Sequence, residues 1–360
     1  MKKRLIIFMP SVEGGGVEKN FFIISNYLAN RLNKVFLITA ENNLSKKIKD
    51  IEIVYPKSNF WRNKGRFRKY IICVFLLIKI LLKSRNILVF TFQANLYAIL
   101  VCKLFRISII SRSNSSPSGW SKNFIKNYIY KVGLNLANTI IVNSIEFKRE
   151  MKKKFSLNAT HIYNPLNKNE IIKLSKKRVK NLFPKKTLKI ISVGRLVDQK
   201  NQLILLKAIN IIKNLYPVRV VLIGRGVDYY KIKDYIKLKK LSKIVKIFYT
   251  SNPFPYIKQA DLFILSSKYE GLPNVLLESI VLKKMIISSA CPTGPKEILL
   301  DGKAGLLFKV GNYVELSQKI IFYIKNKTKC RKLLNTSIMK LDRFDYKINL
   351  EKYLRVIKNI

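Results

Sequence analysis

Short apolar runs alternate with longer amphipathic stretches along the whole of this 360-residue chain. Apolar runs rich in Ile, Val and Phe, bounded by polar or Gly breaks, predict strands, and their alternation with helix-like stretches predicts a parallel sheet covered by helices. In the first half the strands fall at Leu5–Met9, Val35–Thr39, Ile51–Val54, Ile87–Phe92, Ile107–Ser111 and Thr139–Val142. Between the first two, Phe21–Leu32 carries apolar residues at three- and four-residue intervals, which predicts a helix. The rhythm breaks over Asn167–Lys186, a polar, Lys-rich segment with Pro184 that reads as a linker holding a short helix. It then restarts with strands Leu188–Val193, Arg219–Ile223, Val245–Phe248, Leu262–Leu265 and Met285–Ser289. Helices are expected at Gln202–Leu215, Asp228–Leu241, Val275–Leu282 and, at the end, over Tyr346–Ile360. The organisation is therefore two Rossmann-like domains, 1–166 and 188–340, a linker at 167–187, and a C-terminal helix over 341–360 that packs back across the domain junction.

Composition supports two packed cores, since apolar residues make up 48% of the chain. The charge balance changes the picture more: 70 Lys and Arg stand against 20 Asp and Glu, a formal net charge of +50. Such a field favours polyanions, among them nucleic acid, anionic membrane and phosphorylated substrates. Drift in an AT-rich coding sequence accounts for many Lys but not for so few acids. No basic helix-turn-helix, Cys/His zinc pattern or aromatic RNA-binding strand is present, so nucleic acid is not an expected partner. Cys73, Cys102, Cys291 and Cys330 are scattered with no Cys-x-x-Cys pair, and read as small buried hydrophobes in a reducing compartment. The apolar run after Met1-Lys-Lys-Arg4 is too short for a signal peptide and reads as the first strand. Ile71–Leu82 is apolar apart from Lys79 and follows Arg62, Lys64, Arg66, Arg68 and Lys69. Its length falls well short of the roughly 20 residues needed to span a bilayer. It is either a helix buried against the sheet or a basic amphipathic surface on anionic lipid.

Four loops at strand ends carry candidate chemistry, in the place where doubly wound folds bind ligands and helix N-termini offer N–H groups to phosphate. Ser11-Val-Glu-Gly-Gly-Gly-Val-Glu18 follows the first strand, and its glycines permit close approach of a ligand or simply a turn. Ser192-Val-Gly-Arg-Leu-Val-Asp-Gln-Lys-Asn201 places Gly194 at a turn with Arg195 and Lys200 beyond it. Those cations form a diphosphate clamp or a solvated basic loop. Glu270-Gly-Leu-Pro-Asn-Val-Leu-Leu-Glu278 sets Pro273 at the first turn of a helix. Its two carboxylates hold hydroxyls at two ends of a ligand, or are a capping acid and a surface Glu. Cys291-Pro-Thr-Gly-Pro-Lys-Glu-Ile-Leu299 is a rigid loop ahead of a helix, again suited to an anion.

In this order the pieces resemble the retaining glycosyltransferases of family 4. The resemblance covers nearly all of the second half, through Val193-Gly-Arg-Leu, Gln199-Lys-Asn201, Ala260-Asp-Leu-Phe-Ile-Leu-Ser-Ser267, Glu270-Gly-Leu-Pro…Glu278 and Gly294-Pro-Lys-Glu-Ile. The first half matches more loosely, through Gly14-Gly-Gly-Val-Glu18, Val142-Asn-Ser144 and Ile162-Tyr-Asn-Pro165. It implies an α/β fold of GT-B type, with two Rossmann-like domains facing a central cleft. By the same resemblance Arg195 and Lys200 bind the donor diphosphate, Glu278 holds the ribose, and Glu270 faces the transferred sugar. Gly271, Leu272, Pro273 and Asn274 support that sugar or its phosphate beside Gly194, while Gly15 and Gly16 close over the donor. Many family members carry a His after the fifth strand of the first domain. This chain has Ser111-Arg-Ser-Asn-Ser-Ser-Pro117 there, which leaves Arg112 or Asn114 as acceptor-side candidates. Its one His, His161, reads as structural.

The function implied is transfer of a hexose or N-acetylhexosamine from a nucleotide diphosphate sugar, UDP ahead of GDP, to a hydroxyl. The acceptor is a lipid-linked glycan or lipopolysaccharide of capsule or O-antigen assembly, reached from the cytoplasmic side by peripheral contact with the inner face of the membrane. Preorganised cations can neutralise a departing diphosphate without a proton donor. With no Asp-x-Asp motif, no metal and no cofactor are expected beyond the nucleotide-sugar co-substrate. Two alternatives remain: a nucleotide-sugar epimerase of the same architecture, and a non-catalytic basic binder of anionic membrane or nucleic acid on the same scaffold.

Overall fold

The computed structural model describes residues 3–12, 14–42, 44, 48–61, 64–114 and 123–360, apart from the side chains of Asn59 and Phe124. Glu13, Arg62 and Ser115–Pro117, all within the segments discussed above, lie outside the described residues. The chain divides into two compact units, Met1–Pro165 with Lys347–Ile360, and Leu166–Tyr346.

The first unit runs β1 (Arg4–Phe8), α1 (Gly16–Ala29), β2 (Val35–Ile38), β3 (Glu52–Val54), α2 (Arg66–Lys83), β4 (Ile87–Thr91), α3 (Asn95–Leu104), β5 (Ser108–Ser113), α4 (Phe124–Asn135), β6 (Thr139–Val142), α5 (Ile145–Phe155) and β7 (Thr160–His161). Among the described residues its seven strands are all parallel, in the order β3-β2-β1-β4-β5-β6-β7. Covered on both faces, parallel strands read as unbroken apolar runs rather than alternating ones. β4 (Ile-Leu-Val-Phe-Thr) is buried at every position. α1 starts at Gly16, more than a turn ahead of the first periodic apolar residue, Phe21.

The second unit runs α6 (Lys168–Ser175), β8 (Leu188–Val193), α7 (Gln202–Ile212), β9 (Val218–Ile223), α8 (Tyr229–Leu238), β10 (Val245–Phe248), α9 (Phe254–Gln259), β11 (Leu262–Leu265), α10 (Asn274–Val281), β12 (Met285–Ser289), α11 (Pro295–Ile298), β13 (Leu306–Phe308), α12 (Tyr313–Lys325) and α13 (Lys327–Met339). Six parallel strands take the order β10-β9-β8-β11-β12-β13. Its core gathers Ile190, Val220, Leu222, Leu262 and Ile287 of the sheet against Leu205, Leu206 and Ile209 of α7.

The segment expected as a linker, 167–187, is part of this second unit. Its few apolar residues explain why: Ile171, Leu182 and Phe183 are buried despite the surrounding lysines. Asn252 Nδ2 caps the segment's Leu174 carbonyl at 3.0 Å, and Leu182 N donates to Gln259 Oε1 at 3.3 Å. At the other end of the unit, Leu166 N donates to Phe344 O at 3.0 Å, so the segments by which the chain enters and leaves the unit lie side by side.

The last helix, α14 (Tyr346–Lys358), belongs for nearly all its length to the first unit. Leu350, Tyr353, Leu354 and Ile357 form its buried stripe. Tyr27 Oη donates to Glu351 Oε2 at 2.8 Å, and the Tyr353 ring packs 6.1 Å from that of Phe90. Among the described residues the four cysteines are buried and free, and no helix is long and apolar enough to cross a membrane.

Candidate active site

Four strand–loop junctions of the second unit meet at the carboxyl edge of its sheet. They follow β8, β9, β11 and β12, and backbone approach sets their spacing. A Cβ on Gly224 would lie 1.9 Å from the Gly194 carbonyl oxygen, and one on Gly294 would lie 2.2 Å from that of Gly271. Gly294 also sits at φ +79°, in the left-handed region that side chains avoid. Gly194 itself takes no positive φ, and a Cβ there would only touch the Lys200 stem at 3.7 Å. The strict demand for glycine at this turn therefore falls on Gly224, not on Gly194.

Hydrogen bonds then tie the loops together. Lys268 N donates to Gln199 O at 2.8 Å, and Gln199 Nε2 to Tyr269 O at 3.0 Å. Thr293 Oγ1 donates to Glu270 O at 2.6 Å, and Ser266 Oγ to Lys200 O at 3.0 Å. Satisfying loop carbonyls with neighbouring side chains leaves the loops little freedom to rearrange. Gln199 and Thr293 carry much of this; both lie inside the quoted motifs, but neither is among the candidate site residues.

Inside the tier, Glu270 is 6% exposed and Glu278 is 7% exposed. Carboxylates so deep are rarely without partners, so the reading of this pair as a capping acid and a surface Glu is set aside. Glu270 Oε1 accepts from Lys200 Nζ at 2.5 Å and from Ser267 Oγ at 2.6 Å. Glu278 stands in the second turn of α10. That helix opens at Asn274 with Pro273 as its N-cap, one position earlier than the first-turn placement expected for this proline. No side chain caps it, and its positive end faces the loops that carry Gly271 and Leu272. Arg195 is exposed, and among the described residues its guanidinium makes one long bond, NH2 to Gln199 Oε1 at 3.3 Å. The Cys291 thiol beside them is pushed up to about 12, by burial first and by the Glu270 carboxylate second. A charged tier thus rests on a dry floor. Lys200 and Glu270 pair directly, Arg195 stands on the same loop as Lys200, and α10 opens a few residues after Glu270.

The first-unit candidates lie at the carboxyl edge of the other sheet. Gly15 is the N-cap of α1 in extended backbone, and Gly16 is its first residue, with Glu18 in the first turn. Arg112, at the end of β5, is fully buried. Its Nε donates to Tyr353 Oη at 3.0 Å, its NH2 to Asn164 Oδ1 at 2.7 Å, and its NH1 to Asn114 Oδ1. The guanidinium also lies over the Phe92 ring, 5.5 Å from its centroid. Asn114 Nδ2 in turn donates to Phe92 O at 2.9 Å. Both side chains are engaged inside their own unit, joining β5 to α14. His161 packs edge-on against Tyr163, with centroids 4.2 Å apart.

Residues 14–170 match the family model described as Glycosyltransferase Family 4, and residues 174–338 match Glycosyl transferases group 1. An uncharacterized glycosyltransferase of Methanocaldococcus jannaschii is 31% identical over 220 residues, which is 56% of this chain and about half, 53%, of that one. The N-acetylgalactosamine-N,N'-diacetylbacillosaminyl-diphospho-undecaprenol 4-alpha-N-acetylgalactosaminyltransferase of Campylobacter jejuni is 25% identical over 91% of this chain and 94% of its own. Among solved structures, Anabaena HepE in complex with UDP and glucose superposes with a TM-score of 0.80 at 18% identity, over 99% of this chain and 100% of that one. Two parallel-sheet units, family models that abut over most of the chain and this shared architecture lead to one assignment: the chain is a glycosyltransferase of family 4 with the GT-B fold.

Proposed function

We propose that the protein transfers a hexose or N-acetylhexosamine from a UDP-sugar to a hydroxyl of a lipid-linked glycan, with retention of anomeric configuration. The observation that carries this reading is the Arg195, Lys200 and Glu270 cluster at the carboxyl edge of the second sheet. Departure of the diphosphate builds negative charge on oxygen, and cations held in place before the reaction stabilise it without reorganising. Arg195 supplies an exposed fork suited to two phosphate oxygens. Lys200 Nζ carries three donors, and among the described residues one of them is given to Glu270. The start of α10 adds backbone N–H groups and its dipole.

Glu278, in the second turn of α10, is the group for the ribose hydroxyls, and Glu270 the group for the transferred sugar. In this reading the two cations take the part that a divalent ion plays in metal-dependent transferases, so turnover continues in EDTA. The acceptor is inferred from relatives: the Campylobacter jejuni protein is named for a diphospho-undecaprenol substrate. UDP is preferred because HepE was solved with it. The enzyme works on the inner face of the membrane, where such an acceptor is carried.

The test is thermal stabilisation of wild type and Glu278→Ala by UDP, GDP, ADP and CMP. One nucleoside diphosphate should raise the melting temperature of wild type, and the variant should lose that rise. A folded protein stabilised by none of the four overturns the reading.

A further inference from the structure

We infer that the outward face of α2, α3 and α4 in the first unit is a membrane-docking surface, and that its occupant is a bilayer rich in anionic lipid. A helix packed on a sheet normally turns its apolar stripe inward and a polar stripe outward. α2 and α3 are apolar on both sides, and α4 adds a third exposed apolar stripe beside its buried Leu134.

The buried stripe of α2 is Cys73, Leu77 and Leu81. On its opposite side Phe67, Ile71, Phe75 and Leu82 point to solvent, with Phe75 61% exposed. Their spacing of four, four and seven residues keeps them in one line along the helix. α3 buries Ala98, Ile99 and Cys102, and exposes Tyr97, Leu100 and Leu104, the last at 80%. α4 exposes Ile125, Tyr128, Ile129 and Val132, at the i, i+3, i+4, i+7 positions of one face.

The three stripes are neighbours. The Phe67 and Tyr97 rings meet edge-on at 6.5 Å between α2 and α3. Gly133 lets α4 close on α3, since a Cβ there would lie 2.6 Å from Leu96 Cδ2. Each helix follows its strand's carboxyl end and runs back along the same sheet, so all three point the same way. A contiguous apolar patch of this kind on a protein in water marks an interaction site.

Charge selects the occupant. Between Glu52 and Glu146 the chain has no Asp or Glu and fifteen Lys or Arg. Arg66, Arg68, Lys79, Lys103 and Lys126 are exposed on the same helices as the apolar stripes. A second copy of this face would bring two such rims together and be repelled. Nucleic acid would match the rim but not the aliphatic stripes. Anionic headgroups match the rim while acyl chains take Phe75, Leu104 and Ile129. The buried stripe of α2 fits the first reading of Ile71–Leu82, a helix packed on the sheet, and the docking surface inferred on its exposed side takes up the second.

This deepens the proposed function and rests on it only for the expectation of a membrane-borne acceptor. The test is flotation of the full chain with acceptor-free vesicles, either phosphatidylglycerol with phosphatidylethanolamine or phosphatidylcholine alone. Wild type should bind the anionic vesicles at least tenfold more tightly than the zwitterionic ones. Phe75→Asp/Ile129→Asp should lose at least tenfold of that binding, while its stabilisation by UDP stays that of wild type. Equal binding by the variant, or none by wild type, overturns the inference. So does a wild-type dimer by light scattering that the variant abolishes, which would assign the face to a second copy. Vesicle binding without any nucleotide response would instead fail the transferase reading and leave this one standing.

Discussion

Lys200 and Glu270, seventy residues apart in the chain, meet at 2.5 Å in a tier where the lysine side chain is 16% exposed and the glutamate 7%. Removing one member of so enclosed a pair leaves the other without a counter-ion, which costs about 3 kcal/mol or more. Lys200→Ala is therefore expected to lower the urea midpoint clearly. Lys200→Ala/Glu270→Gln, which removes both charges, should be more stable than Lys200→Ala alone. Additive losses in the double variant would show that the contact carries no coupling.

Arg195 separates binding from folding. Being exposed, its loss should move stability by no more than about 0.5 kcal/mol. A charge-assisted bond to phosphate is worth roughly 1.5–3 kcal/mol, so Arg195→Ala should weaken UDP by about ten- to a hundredfold. Calorimetric titration checks this. Unchanged affinity would return Arg195 to the status of a solvated loop residue.

Arg112 is expected to act as a structural pin between β5 and α14, not as a group on the acceptor. Tyr353→Phe, which removes one of its three hydrogen bonds, should cost about 1 kcal/mol. Arg112→Met should cost several times that, because Asn164 and Asn114 lose their donor as well. UDP affinity should not change in either. If Arg112→Met keeps full stability and loses only transfer, the acceptor role stands.

The thiols give a pH-dependent check. Burial pushes Cys102 and Cys291 up to about 12, and Cys73 higher still. Native protein should therefore resist a disulfide reagent at pH 8, and unfolded protein should react fully. Because the folded values are raised, the stability they contribute is complete below the ordinary thiol range and falls as pH climbs through it towards 12. A denaturation series from pH 8 to 10.5 should show falling midpoints. Rapid native labelling would place a thiol at the surface.

The strands were legible because a parallel sheet covered on both faces needs continuous apolar runs, as β4 and β11 show. The residues of the loop tier were legible singly, by type and spacing. Their pairing was not, since Lys200 and Glu270 come from different strand ends. Helices α3 and α4 fall between predicted strands, where helix-like stretches are expected, but their bounds were not legible because exposed apolar residues such as Leu100 and Ile129 blur a single amphipathic stripe. The fate of Arg112 was out of reach for a different reason: Asn164 and Tyr353 lie 52 and 241 positions away. The supposed linker misled by composition, its lysines masking the buried Ile171, Leu182 and Phe183.

The place of α14 sets an order of events during synthesis. Residues 4–161 supply all seven strands of the first unit, yet the helix that covers Phe90 and anchors Arg112 is made only after Leu166–Tyr346. At ribosomal speeds of about 5–20 residues per second, the nascent sheet waits on the order of ten seconds or longer for its last cover. During that interval the Arg112 guanidinium lacks Tyr353, and the stripe that Leu350, Tyr353 and Leu354 will fill stays open. The half made first is the half completed last, and it is the one that would need a chaperone's shelter while the other is still being made.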